Sequence, residues 1–455
     1  LGNRERAGAM RTRAAVLYAM KQPRPYRETR PLHLEEVELE EPGWGEVLVE
    51  VQAAGLCHSD LSVIDGTRPR VMPMVLGHEA AGVVRRTGPG VTEFREGDRV
   101  VFSFVPACGR CRFCAVGRPA LCERGNAANA AGCLLDGSCH FRRGDQRLHH
   151  HLGVSAFSRY TVAAQESLVK LEADVPPEVA ALFGCAVLTG VGAVFNTARV
   201  QPGSSVAVFG LGGVGLSAVL GARAAGAYPV VAVDVVPEKL ELARSLGAAS
   251  TVRADQEDAV QAVRDLTRGG ADYVFECAGS ERVLEQAYRA TGRGGTTVTV
   301  GLPDPQRSVS LPAVTLVTEE RTLKGSYMGS SVPRRDIPRY VAMYQAGLLP
   351  VDRFAQQGAG PGGDQRGLRR PGGRAGGAAG RPILTTEPPR DETRGAPPEN
   401  PSSEGGPGSP NTAQRFRGGG CGCGQSSWCG GSSTLSTLTP HARKPLPRGG
   451  GGFWR

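Results

Sequence analysis

Cys108, Cys111, Cys114 and Cys122 bring four thiols into one short stretch, with two, two and seven residues between them. Such spacers let the sulfurs turn towards one point, and four thiolates in tetrahedral array are the donor set of a structural zinc site. Gly109 and Gly117 punctuate the stretch and ease its bends. A nucleic-acid-binding finger would need a recognition helix or a second ligand pair after Cys122, and neither follows. Unbound or disulfide-linked thiols are the competing reading. The start Leu-Gly-Asn-Arg-Glu-Arg lacks the apolar run of a secretory signal, and nothing else marks an oxidising compartment, so zinc is the expectation.

A second chemistry is written into Ser205-Val-Ala-Val-Phe-Gly210-Leu-Gly212-Gly213-Val214-Gly215. An apolar strand enters a glycine turn and then a helix, the context in which G-x-G-x-x-G binds a dinucleotide. Gly210 makes the tight turn, Gly212 admits the pyrophosphate, Gly215 allows close helix packing, and the helix start at Gly213 and Val214 offers N–H groups to the anion. Asp234 ends the next apolar strand, where a carboxylate accepts the ribose hydroxyls and repels a 2′-phosphate; this favours NAD over NADP. Lys239 follows on the helix, where a contact to the ribose and a solvated helix face explain a lysine equally well. Three more residues, Cys57, His78 and Cys185, are candidate ligands of an open metal site, although their wide separation gives no spacing argument. Taken singly, a cysteine is a common small core residue and a histidine a satisfied polar group.

The elements that must position these groups change texture along the chain. From Arg13 to about Val169 short strands broken by Gly and Pro, RAAVLYAM, GEVLVEVQAAG, EAAGVVRRTG and DRVVFSFV, predict a small, partly open β-barrel domain. After Ala180 helical stretches such as EKLELARSLGA alternate with the apolar strands SSVAVFG, PVVAVDV, DYVFECAG and GTTVTVG, which predicts a parallel sheet with crossover helices. Residues 354–455 are dominated by Gly, Pro, Arg and Ser and lack a periodic apolar pattern, so a packed core is not expected there. This tail holds thirteen Lys or Arg against six Asp or Glu, leaving the body close to neutral although the chain carries a net charge of +9. The basic pI therefore carries no nucleic-acid reading. No apolar run reaches the roughly eighteen residues of a membrane span, and the expectation is a soluble, cytoplasmic body.

With those elements in place, GLCHSD, GHEAAGVV, the cysteine quartet, GCAVLTGVGAV and VFGLGGVG, in this order, resemble the zinc-containing alcohol dehydrogenases of the medium-chain dehydrogenase/reductase family, over Met10 to about Arg353. The resemblance implies a GroES-like catalytic domain over 10–185, a Rossmann coenzyme domain over 186–325 and a return to the first domain over 326–353. It implies two zinc ions per subunit, NAD as cofactor, and a homodimer or homotetramer acting on an alcohol, aldehyde or ketone. Cys57, His78 and Cys185 become the catalytic zinc ligands, with the fourth position open, and the quartet the structural site. Ser59 becomes the hydroxyl that takes the substrate proton, Asp60 the carboxylate that orients His78, and Glu79 a carboxylate beside the metal. His58 stands where an arginine often meets the pyrophosphate. Ser62 stands where many relatives carry a relay histidine, so the proton path beyond Ser59 is left open. The stretch from Gly132 to His151, with Cys133, Cys139 and three consecutive histidines, is expected as an ordinary exposed loop, the alternative being that its histidines hold another metal.

The family ends in an amphipathic helix and a last strand. From Phe354 this chain is compatible, read one base later, with SLSKVLGLEEINEGFDALA, which resembles that ending and has apolar residues at helical spacing. A single-base insertion or deletion near Arg353 is therefore expected, and an unbroken frame in the coding DNA together with a tail-containing intact mass would contradict it. The alternative for the chain as written is a zinc- and nucleotide-binding protein disabled by its altered C-terminus.

Overall fold

A computed structural model describes residues 9–355; the unusual start and nearly all of the tail expected to be out of frame lie outside the described residues. The first half carries β1 (Met10–Leu17), β2 (Leu32–Leu39), β3 (Glu46–Gly55), β4 (Met74–Val75), β5 (Glu79–Thr87), β6 (Arg99–Phe102), β7 (Phe141–Arg143), β8 (Gln146–His150), β9 (Tyr160–Ala164) and β10 (Leu168–Lys170). Five of them close a small barrel in the order β1-β2-β7-β8-β4, and the others form a sheet in the order β10-β6-β5-β3-β9. Strand β1 explains how the two share a core. Ala15 and Leu17 pack with Val47, Val49 and Phe102, while the alternate residues Ala14 and Val16 pack with Val37, Leu39 and Phe141.

The second half carries β11 (Val206–Phe209), β12 (Val230–Asp234), β13 (Ser250–Arg253), β14 (Ala271–Glu276), β15 (Thr291–Thr299) and β16 (Thr322–Gly325). They pair in parallel in the order β13-β12-β11-β14-β15-β16, the doubly wound order of a dinucleotide-binding sheet. Every residue of β11 is buried, as expected of a strand with helices over both faces. After β16 the helix Pro333–Gln345 packs on the helix Ala186–Gly192 and on β10, leading the chain back to the five-stranded sheet. The architecture is the β-domain plus parallel-sheet domain that the sequence implies.

One expectation fails. The stretch 132–151 is no exposed loop: Phe141–Arg143 and Gln146–His150 form a hairpin, and β8 runs parallel to β4 to complete the barrel. His140, His150 and His151 are consequently buried. Strand limits also move. The first strand covers Met10–Leu17 instead of ending at Met20, and the last core strand begins at Thr291, ahead of GTTVTVG.

Candidate functional site

Cys57 ends the turn after β3 and caps the helix His58–Ile64; Asp60, in that helix's first turn, accepts a hydrogen bond from the Cys57 N–H at 3.2 Å. His78 follows Gly77, whose φ of 101° suits only glycine at ease. A side chain on Gly77 would also strike Phe157 N at 2.5 Å. Asp60 Oδ1 takes the Gly77 N–H at 3.0 Å and lies 3.3 Å from His78 Nδ1, leaving Nε2 of that ring for the thiols. Cys185 precedes the helix Ala186–Gly192, and its Sγ stands 3.5 Å from His78 Nε2 and 3.9 Å from Cys57 Sγ. Ligands at about 2.3 Å for sulfur and about 2.0 Å for nitrogen on a tetrahedron lie about 3.8 Å and about 3.5 Å apart, so this donor set fits zinc without rearrangement.

Electrostatics agree with the geometry. A hydrogen bond from Cys185 overcomes burial and, with the His78 charge, holds the Cys57 thiol well below its ordinary range; the same bond and burial push Cys185 well above it. Burial alone would lower His78, but the charges of Asp60 and Cys57 outweigh it and raise the ring's affinity for a proton. Asp60 is lowered despite complete burial, because His78 and His151 face it. Glu79, the first residue of β5, is pushed up to about 8 by burial and then by the Cys57 charge. Ser59 Oγ lies 3.8 Å from Cys57 Sγ, and His58 is exposed beside it. Ser62 is buried and donates to the His58 carbonyl at 2.9 Å, so its hydroxyl is engaged within its own helix.

The quartet is a separate cluster. The ligand atoms of Cys108, Cys111, Cys114 and Cys122 lie within 4.8 Å of one another, and the Sγ atoms of Cys111 and Cys122 are 4.0 Å apart. Cys122 Sγ also accepts the N–H groups of Cys108 and Gly125 at 3.4 and 3.3 Å. Backbone N–H groups bring Cys111 down to about 6, whereas burial and its neighbouring thiols push Cys114 up to about 12. Four thiolates this close repel one another, and a divalent cation at their centre removes that repulsion. With all four positions filled by sulfur, a metal here has no place for substrate.

At the dinucleotide turn each glycine has a distinct spatial reason. Gly210 has φ 89° and backs onto Ala278 N, which an added Cβ would meet at 2.8 Å. A Cβ on Gly215 would stand 1.8 Å from the Gly210 carbonyl oxygen, so helix and strand meet at backbone contact. Nothing lies within 4 Å of a Cβ on Gly212, the open space that a pyrophosphate would occupy at the start of the helix Gly213–Ala224. Asp234 Oδ2 accepts the Leu211 N–H at 2.7 Å and Oδ1 the N–H groups of Val235 and Val236; Lys239 Nζ is 3.9 Å from its carboxylate. The residues present fit a dinucleotide with an unphosphorylated ribose.

Sequence reasoning missed His151. Its Nδ1 stands 3.0 Å from Asp60 Oδ1 and its ring lies edge-on to His78, at 5.3 Å between centroids. The one local cue was the turn pair Gly144-Asp145, which announces a hairpin but not that the chain beyond it reaches Asp60.

Residues 43–173 match the alcohol dehydrogenase GroES-like domain family, and residues 213–346 the zinc-binding dehydrogenase family. The chain is 40% identical to alcohol dehydrogenase class-3 of Myxine glutinosa, over 71% of this chain and 87% of that protein. It is 39% identical to S-(hydroxymethyl)glutathione dehydrogenase of Escherichia coli O1:K1, over 76% of this chain and 92% of that one. The crystal structure of an alcohol dehydrogenase zinc-binding domain protein from Burkholderia ambifaria superposes with a TM-score of 0.71 at 39% identity, covering 76% of this chain and 91% of the other.

Proposed function

The chain belongs to the zinc-containing alcohol dehydrogenases of the medium-chain family, and from that premise we propose how its own residues perform the reaction. The activity is hydride transfer between an alcohol and NAD, giving an aldehyde or ketone. Zinc, when bound, supplies the Lewis acidity that makes the alcohol hydroxyl acidic, and NAD supplies the hydride acceptor. Cys57, His78 and Cys185 hold the catalytic metal. Asp60 fixes the tautomer and angle of His78, and Glu79 waits behind the thiols. Ser59 receives the hydroxyl proton and passes it to solvent, since Ser62 is turned away. The quartet holds a structural zinc. Gly210, Gly212, Gly213, Val214 and Gly215 cradle the pyrophosphate with His58 nearby, and Asp234 with Lys239 receives the ribose. Domain limits at 185, 325 and 353 accompany this reading.

The observation that carries it is the meeting of Cys57, His78 and Cys185, more than a hundred residues apart at the extremes, at zinc-ligand spacing beside Asp60. Assembly as a homodimer or homotetramer is supported by exposed apolar groups on the helix Ala313–Thr318 and on the edge strand β16. Free thiols throughout the described residues suit a reducing, cytoplasmic compartment. The test is NADH formation at 340 nm across primary, secondary and long-chain alcohols and S-(hydroxymethyl)glutathione, about that wavelength being where reduced nicotinamide absorbs. A chain that binds zinc and NAD yet oxidises none of them overturns the enzymatic reading.

A further inference from the structure

The hairpin that replaced the expected loop carries a cluster that the dehydrogenase reaction does not use. Cys133 and Cys139 bracket a tight turn, closed by Leu134 N–H to the Ser138 carbonyl at 2.9 Å and Gly137 N–H to the Leu134 carbonyl at 3.0 Å. Their Sγ atoms come within 3.1 Å, each also facing a carbonyl: Ala131 at 3.5 Å for Cys133 and Gly132 at 3.4 Å for Cys139. From β8, His149 brings a ring nitrogen within 4.8 Å of both sulfurs. Its Nδ1 is buried over Gly132, and the ring has no side-chain partner, only the Gly132 backbone beside it.

We propose that Cys133, Cys139 and His149 bind a third zinc ion, which pins the turn 133–139 to β8. Two thiolates and an imidazole are a zinc donor set, and they cancel the charge of a divalent cation. Binding releases the two thiol protons and gives the His149 ring a partner other than the Gly132 backbone. A tetrahedral site wants sulfurs about 3.8 Å apart, so the pair, 3.1 Å apart, must open by about 0.7 Å, whereas a disulfide at about 2.05 Å needs it to close by about an ångström. A disulfide would also leave the His149 ring with only the Gly132 backbone. Cys133 and His149 are only half-buried, so solvent supplies the fourth ligand. The site anchors the strand that ends beside His151 and Asp60, but its ligands touch neither.

The test compares zinc per subunit in the full chain with that in Cys133→Ser and His149→Gln, after gel filtration in zinc-free buffer. Each variant is expected to lose one zinc relative to the unaltered chain and to keep its alcohol oxidation. The difference carries the result, so a shortfall at the other zinc sites leaves it readable. Should either variant fold poorly, alkylation of the unaltered chain decides: added zinc is expected to protect Cys133 and Cys139 from the reagent. Equal zinc in all three proteins, no protection, or a Cys133–Cys139 disulfide in place of the metal overturns the proposal.

Discussion

At Asp60 one carboxylate serves several neighbours: it takes the Cys57 and Gly77 N–H groups and faces the rings of His78 and His151. Asp60→Asn keeps the shape but offers an N–H₂ where His78 needs an acceptor, so affinity for the trio's zinc and kcat/KM are both expected to fall by about 10- to 100-fold. Competition with a chromophoric chelator and initial rates measure them; unchanged zinc affinity would contradict the orienting role. Asp98 offers a pH test away from any metal. Burial raises it, but the Arg95 N–H at 3.0 Å and Lys170 Nζ at 3.0 Å outweigh burial and lower it. With the folded value below the unfolded one of about 3.9, its contribution is present above about pH 4 and lost as pH falls through the folded value. Asp98→Asn should cost about 1 kcal/mol at neutral pH, and urea midpoints of the two proteins should converge on acidification. The residues proposed to hold zinc could be singled out because each sits in a short distinctive motif, and the structure brings Cys57, His78 and Cys185 together. His151 was not, since nothing in local sequence states that the end of β8 lies against Asp60.

The glycine turn shows what an element adds to its residues. Gly212→Ala meets no protein atom, so its melting temperature is expected to stay within the small effect of an exposed substitution, about 0.5 kcal/mol, while a methyl in the pyrophosphate space weakens NAD binding by about tenfold or more. Gly215→Ala drives a Cβ into the Gly210 carbonyl and must separate helix from strand, so stability and NAD binding are expected to fall together. Calorimetry of both variants, with NAD titrations, separates the two jobs; a Gly212→Ala protein that binds NAD normally would contradict the assignment. The strands legible in advance are those with long apolar runs, such as β3, β5, β11 and β12. β13 and β16 each carry a single aliphatic residue, Val252 and Leu323, and β8 carries Gln, Arg and two His around Leu148, so their strand character comes from the strands they pair with. The polarity of Gln146–His150 conceals a barrel strand that only its pairing with β4 and β7 reveals.

For the whole molecule, composition misleads where pattern does not: the basic pI arises largely in residues 354–455, while the near-neutral body buries the apolar cores of its sheets. What the body leaves outside is informative. Val314, Leu316 and Val317 of the helix Ala313–Thr318 are 63%, 42% and 78% exposed, and Leu323 on the edge strand β16 is 37% exposed. Apolar side chains beside an unpaired strand edge invite another chain, because edge pairing satisfies backbone groups as it removes the side chains from water. A two-fold axis would bring the same patch of a second subunit against it. Val317→Glu places a charge at the most exposed of these positions, away from zinc ligands and the glycine turn, and is expected to convert the assembly to monomers while zinc content stays unchanged. Light scattering on a sizing column reads the mass directly; a monomeric parent would overturn the proposed assembly, and a variant that keeps an oligomeric parent's mass would place the subunit contact elsewhere.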